Sequence, residues 1–265
     1  MSFSVSSSHF VVVLAQALRF YSRLPVPRLS EERFAGDMLD FPVIAPAVPV
    51  AGALIGAVAA LALLVARALG LGSPVAAILA VGTGVAITGA LHEDGLADTA
   101  DGFFAQANPD RRLEIMRDSR LGTFGGLALI LAVLARTSLI ADLALDGQRA
   151  AAVAIIGAAA LSRGAGLMPL ALLAPARRDG AGATAGRLPI PAFTNAVLIG
   201  CAIAIVLAVL GGFGVVRALG ACVAALLAAR GVCALAERKI GGQTGDVAGA
   251  TQIACELACY LVLVM

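Results

Sequence analysis

Seven apolar stretches of membrane-crossing length govern what this chain can fold into: residues 50–69, 75–91, 125–145, 150–173, 193–211, 215–233 and 249–265. As a helix, a run of about 20 apolar residues matches the hydrocarbon core, whereas the strands of a membrane barrel would alternate polar and apolar positions. Composition agrees, with 60% of residues hydrophobic and only 14% charged, where soluble domains carry about a quarter charged. Thirty glycines and abundant alanine let membrane helices approach closely. The expected fold is all-α, a polytopic membrane helical bundle of about seven transmembrane helices forming a single integral membrane domain over residues 1–265. The same small-residue faces can pack within one chain or between copies, so a homo-oligomer is compatible with the sequence.

The N-terminal end reads differently. Residues 9–21 are apolar but too short to span, and with Arg19 and Arg23 at their end they predict an interfacial helix. MSFSVSSSHF lacks the positive start of a signal peptide, so no cleaved leader is expected. Pro25, Pro27, Pro42, Pro46 and Pro49 follow. Proline disfavours a continuous helix, which puts the expected start of the first span near Val50.

The 19 Lys and Arg residues are unevenly placed. Arg19, Arg23, Arg28 and Arg33 precede the first span; Arg111, Arg112, Arg117 and Arg120 follow the second. Arg177, Arg178 and Arg187 follow the fourth, and Arg238 and Lys239 the sixth. These segments alternate, so all share one side, while the other side receives only Arg67, Arg149 and Arg217. The positive-inside rule assigns the basic side to the cytoplasm. Loops of about 92–124, 174–192 and 237–248 would then form a cytoplasmic catalytic face on a multi-pass protein of the bacterial inner membrane. Nothing in the pattern calls for nucleic acid; membrane lipid is the surrounding medium. Five cysteines (Cys201, Cys222, Cys233, Cys255, Cys259) lie in C-terminal apolar segments without CxxC spacing and read as small packing residues.

The chemistry-bearing residues gather on that same side. HEDGLADTADG at 92–102 sets Glu93, Asp94, Asp98 and Asp101 directly after an apolar run. At about 100° per residue, Asp94, Asp98 and Asp101 fall within about 60° of one another on a helix. Like charges that close repel, and each resists losing water. Mg²⁺ relieves this, because it takes hard oxygen ligands and commonly bridges carboxylates to substrate phosphates. The three aspartates are therefore candidate metal ligands and catalytic groups. His92 beside them is a candidate base, phosphate contact or interfacial residue.

Further along, the 92–124 loop contains a helical stretch over 109–117, with Asn108 as cap and Pro109 in the first turn. Arg117-Asp118-Ser119-Arg120 and the glycines at 122, 125 and 126 can hold phosphate oxygens through guanidinium forks and backbone N–H groups. A third cluster, Gly241-Gly242-Gln243-Thr244-Gly245-Asp246, lets backbone approach a ligand and adds Gln243 and Asp246 as candidates. Arg136, Arg163 and Glu256 fall within predicted spans, where an ionisable group faces a cavity or a partner. Arg163 and Glu256 are site candidates, and Arg136 reads as a structural pairing residue.

At these residues the chain resembles the cobalamin synthase (adenosylcobinamide-GDP ribazoletransferase) family. The resemblance rests on Phe20 through Arg23 with Leu24-Pro25-Val26-Pro27, Phe41-Pro42, HEDGLADTADGF at 92–103, LEIMRDSRLGTFGGLALI at 113–130, Ser162-Arg163-Gly164 and GGQTGD at 241–246. It covers almost the whole chain, and the order of these motifs is far more specific than any one alone. The proline-rich Ala45–Pro49 stretch departs from the smoother helix start expected there. The resemblance implies that adenosylcobinamide-GDP reacts with α-ribazole, or its 5′-phosphate, giving adenosylcobalamin, or its 5′-phosphate, and GMP, with Mg²⁺ required. Carried onto these positions, the resemblance together with the chemistry of each residue leads us to expect Asp94, Asp98 and Asp101 on Mg²⁺ and the diphosphate, one of them able to serve as base for the ribazole hydroxyl, Arg117 and Arg120 on phosphate oxygens, and Asp118 and Asp246 completing the site. CDP-alcohol phosphotransferases share an Asp-Gly opening, but their following Ala-Arg pair is absent, since Ala97 precedes Asp98. A transporter would spread charges along the membrane interior, whereas most here gather on one face.

Overall fold

Prolines shape the start of the first span without delaying it. In the computed structural model, which describes residues 7–30, 32, 40–177 and 186–265, the helical path begins at Phe41, not Val50. Helix α1 is Ser7–Tyr21 and α2 Phe41–Ile44; a 3-10 turn at Ala45–Ala47 leads into α3, Val48–Ala68. Pro42, Pro46 and Pro49 each sit in the first turn of one of these three pieces, where a backbone N–H has no intrahelical acceptor to lose. The whole of Phe41–Ala68 therefore makes one apolar 28-residue span.

The remaining helices are α4 (Ser73–Thr88), α5 (Leu91–Phe104), α6 (Pro109–Ile115), α7 (Thr123–Asp146), α8 (Gln148–Ala165), α9 (Met168–Leu172), α10 (Ile190–Leu210), α11 (Gly214–Ile240) and α12 (Gly245–Val264). Among the described residues, six segments are long and apolar enough to cross a membrane, and α4 with α5 makes a seventh only as a pair bent by 89°. The all-α polytopic bundle is as expected. Two boundaries are corrected: the sixth span runs on to Ile240, placing Arg238 and Lys239 in its last turn, and the acidic stretch is a helix of its own rather than part of a long loop. Of the basic residues counted above, Arg33 and Arg178 lie outside the described residues, as does part of the 174–192 loop.

The bend between α4 and α5 has a local cause. Gly89 (φ 63°) and Ala90 (φ 60°) are both left-handed, which is free for glycine and costs alanine roughly 1 kcal/mol. Arg23 braces the joint, its backbone N–H donating to Ile87 O at 2.7 Å and its guanidinium lying where a Cβ on residue 89 would be.

Helix α8 is the most enclosed of the spans. Its run of alanine and glycine, Ala150 to Ala160, is buried except at Val153 and Ile156, because α3 and α10 press onto it from either side at distances only small side chains allow. A tight approach is that of Gly52 of α3, where a Cβ would overlap Ala159 O and stand 2.8 Å from Arg163 Cδ. Helix α1 lays Val13, Ala17 and Tyr21 against Phe41, Ile44 and Val48, a spacing of one helix face. Four of the five cysteines are buried and all are free thiols, in keeping with a packing role.

Gly52→Leu is expected to lower the thermal midpoint of the detergent-solubilised protein by overpacking, at about 1–3 kcal/mol. Gly82→Ala, where a Cβ meets nothing within 4 Å, should leave the midpoint unchanged or higher in the same thermal scan.

Candidate active site

Helix α5 carries the acids between the starts of two other helices. Gly95 packs against the first turn of α12, where an added Cβ would lie 2.8 Å from Asp246 O and 3.1 Å from its Cα. One turn along, Gly249 would meet the Cα atoms of His92 and Gly95 at 3.4 and 3.5 Å. This glycine-to-glycine crossing brings Asp246 beside Asp94 and Asp98. Asp94 is exposed and Asp98 half-buried; the charges acting on Asp98 are the like charges of Asp94, Asp246 and Asp101, with Arg177 the opposing one.

Asp101 has a different setting. Its carboxylate accepts from Gly122 N and Gly125 N, both at 2.8 Å, and so sits on the N-terminus of α7, where an acid satisfies open N–H groups and the helix dipole. At the other end of the same turn, Arg112 donates to Ala107 O at 2.8 Å, Gly102 O at 3.1 Å and Phe103 O, closing the carbonyl end of α5. Asn108 caps α6 as expected, accepting from Arg111 N at 2.9 Å. Among the described residues, no three His, Cys, Asp or Glu side chains form a ready-made metal cage.

In the arginine cluster, Arg120 forks onto Asp118, with Nε–Oδ1 2.9 Å and Nη2–Oδ2 2.5 Å. Hydrogen bonds from Arg120 hold the Asp118 carboxyl down at about 2. A depressed carboxyl stabilises the pair above its ordinary value of 3.8 and loses that contribution as pH falls toward about 2, so the pair is intact at neutral pH. Arg117 is exposed. The loop reaches the acids through the bond from Gly122 to Asp101.

The glycine-rich 241–246 cluster is an ordered clasp. Gly241 ends α11 in the left-handed region, and Gly242 passes so close to Ala174 O that a Cβ would overlap it. Gln243 N donates to Ala174 O at 2.8 Å and Ala176 N to Gln243 O at 2.9 Å. The clasp brings Arg177 to Asp246 (3.2 Å), while Thr244 Oγ1 accepts from Val247 N and caps α12. Arg177 had no motif around it in the sequence; only its basic loop marked it.

Below the acids lies a buried polar network. Arg136 of α7 donates to Glu93 Oε1 at 2.6 Å and stands 3.6 Å from Glu256 Oε1. Tyr260 donates to Glu256 Oε1 at 3.0 Å, and Gln252 Nε2 donates to Glu256 Oε2 and Ser162 Oγ at 3.1 and 2.9 Å. The pairing role read for Arg136 is as expected. Glu256 belongs to this network, away from the exposed acids. Arg163 donates to Ala159 O of its own helix at 3.1 Å and makes no ion pair among the described residues. His92 is buried, its ring parallel to Tyr21 at 5.9 Å between centroids. Tyr21, Gln252 and Tyr260 were missed by the sequence reading, since an aromatic or amide at an apolar helix position looks like packing.

Fold and site together define a polytopic membrane protein whose acid-bearing helix is wedged between the ends of two spans, with guanidinium groups around it. The family model for cobalamin-5-phosphate synthase matches residues 13–264, and the chain belongs to that family. It is 50% identical to the adenosylcobinamide-GDP ribazoletransferase of Azorhizobium caulinodans over 254 residues, 95% of this chain and 94% of that protein. It is 48% identical to the protein of the same name in Xanthobacter autotrophicus (90% of each chain), and 41% to that of Brucella ovis (94% and 95%). No solved structure matches it.

Asp101→Ala should release the Gly122 and Gly125 amides, a loss near 1 kcal/mol, seen as faster hydrogen exchange in peptides covering 118–126. Arg136→Met, which strands two buried carboxylates, should cost about 3–5 kcal/mol and show as a lower thermal midpoint or loss of folded protein.

Proposed function

We propose that this protein joins adenosylcobinamide-GDP to α-ribazole, or its 5′-phosphate, releasing GMP and forming adenosylcobalamin, or its 5′-phosphate. The names of its relatives and the family match supply the substrates; the observation that carries the chemistry is the meeting of Asp94, Asp98 and Asp246 across the Gly95 contact. In this reaction an acceptor hydroxyl oxygen attacks the cobinamide-side phosphorus of the diphosphate. The P–O bond to GMP breaks, GMP takes the electron pair, and the hydroxyl proton passes to a base.

The residues fit a shared Mg²⁺ better than a resident one. Mg²⁺ keeps waters and takes one or two carboxylates plus substrate phosphates; the exposed Asp94 and its neighbour Asp98 offer that pair, and no closed cage is needed. When bound, the ion would neutralise charge on the diphosphate oxygens. Asp94 or Asp98 accepts the acceptor proton, geometry placing both on the open face of α5. Asp101 positions the arginine loop, from which Arg117 and Arg120 hold donor phosphate oxygens, and Arg177 with Asp246 borders the same space. The basic segments and these acids lie at one end of the bundle, and the positive-inside pattern supports a cytoplasmic active site in the inner membrane. There soluble nucleotides arrive without crossing lipid.

Protein reconstituted in liposomes with adenosylcobinamide-GDP, α-ribazole and Mg²⁺ is expected to release GMP and to stop when the metal is chelated. Asp94→Asn and Asp98→Asn should each lower the rate by about 10²-fold or more, the scale of a lost acid–base or charge-holding group. Wild-type, correctly inserted protein that releases no GMP refutes the assignment.

A further inference from the structure

One cleft beside Asp94 has a chemistry the acids do not explain. Its volume is about 140 Å³ and its lining includes Phe20, Tyr21, Phe41, Asp94, Arg163 and Gln252, so α1 and α2 supply one wall and α5, α8 and α12 the other. The rings form a connected set: Phe20 stands edge-on to Tyr21 at 4.8 Å and to Phe41 at 5.2 Å. At its inner end three side chains more than nine-tenths buried each keep a polar atom without a hydrogen-bond partner among the described residues: Arg163 Nε, His92 Nε2 and Gln252 Oε1. The same three border a smaller cavity of about 30 Å³, which has room for roughly two waters. The outer cleft is several times larger than water requires.

We propose that this cleft is the subsite for the planar heteroaromatic base of the acceptor nucleoside, with the Arg163 Nε–H donating to the base's ring nitrogen. The inference rests on the reaction proposed above. Three features favour the acceptor base over the donor's guanine. A benzimidazole-type base is carbon-rich, with one free ring nitrogen as acceptor, which suits aromatic walls and the Arg163 Nε–H, while His92 and Gln252 also border the smaller water-sized cavity. Guanine would bring an edge of several donors and acceptors, each needing a partner. The second feature is order along α5: the cleft adjoins His92 and Asp94 at its N-terminal end, while the loop that carries Arg117 and Arg120 is tied through Gly122 N to Asp101, about 10 Å further along at 1.5 Å per residue. In-line transfer needs nucleophile and leaving group on opposite sides of phosphorus, and the anionic GMP belongs at the arginine end. The third is Asp94 itself, which lines the cleft and so meets the sugar hydroxyl of a nucleoside whose base is seated there.

The test is equilibrium binding of radiolabelled α-ribazole and, separately, of adenosylcobinamide-GDP to the detergent-solubilised full chain. Phe20→Leu and Arg163→Lys are compared with wild type after circular dichroism shows both folded. Each variant is expected to weaken α-ribazole binding about tenfold, equivalent to about 1.4 kcal/mol, and to leave donor binding within about twofold, below 0.5 kcal/mol on the same scale. In turnover, the KM for α-ribazole should rise and that for adenosylcobinamide-GDP should not. Weakened donor binding with normal α-ribazole binding would assign the cleft to guanine and overturn the proposal, as would unchanged binding of both. α-Ribazole binding with the expected variant pattern but no GMP release would uphold the subsite and refute the reaction.

Discussion

The Arg136 guanidinium, held between Glu93 and Glu256, is the contact on which the site depends. A charge at that depth is costly unless it is paired, and the two partners of Arg136 come from α5 and α12. Satisfying one cation therefore fixes three helices relative to one another. With α5 and α12 tied by charge below, the Gly95 and Gly249 contacts bring their backbones together above, and Asp94, Asp98 and Asp246 gather at that crossing. Repulsion among those acids is imposed on them by a favourable interaction elsewhere, which leaves a surplus of negative charge at this end of the bundle.

The polar ends of the bundle divide the work along a single short helix. Toward its N-terminal end α5 meets the rings of Phe20, Tyr21 and Phe41; in its middle it offers exposed carboxylates; at its C-terminal end Asp101 anchors the arginine loop. Two glycine-rich segments serve this arrangement differently. Gly122 and Gly125 give their N–H groups to Asp101, whereas Gly242 gives room for the 174–177 strand of backbone that delivers Arg177.

Much of this was legible from residues alone, and the failures have physical reasons. The apolar runs and the alternation of basic loops identified the bundle, because lipid admits only segments that satisfy their own backbone. HEDGLADTADG announced itself because four carboxylates are too costly beside a membrane without a purpose. The start at Phe41 was misread because proline was taken as a break, although at a first turn it costs no hydrogen bond. The bonding of Asp101 to the Gly122 and Gly125 amides was hidden because helical periodicity reports a shared face, not what stands opposite it. Gln252 and Tyr260 could not be seen at all: their significance lies in Arg136 and Glu256, brought near by tertiary packing.

The stacking of Tyr21 on His92, with Gly249 against the same residue, has a consequence for how the protein is made. The first described helix and the last meet on one residue of α5, Tyr21 on its ring and Gly249 on its backbone. During synthesis the acid helix must wait for some 150 residues before α12 arrives with Glu256 and Asp246. Until then Glu93 and Arg136 can neutralise each other, but Asp94 and Asp98 have no α12 wall beside them. A chain stopped short of its final helix therefore lacks Asp246, Gln252 and Glu256, and the site is closed only with the last insertion.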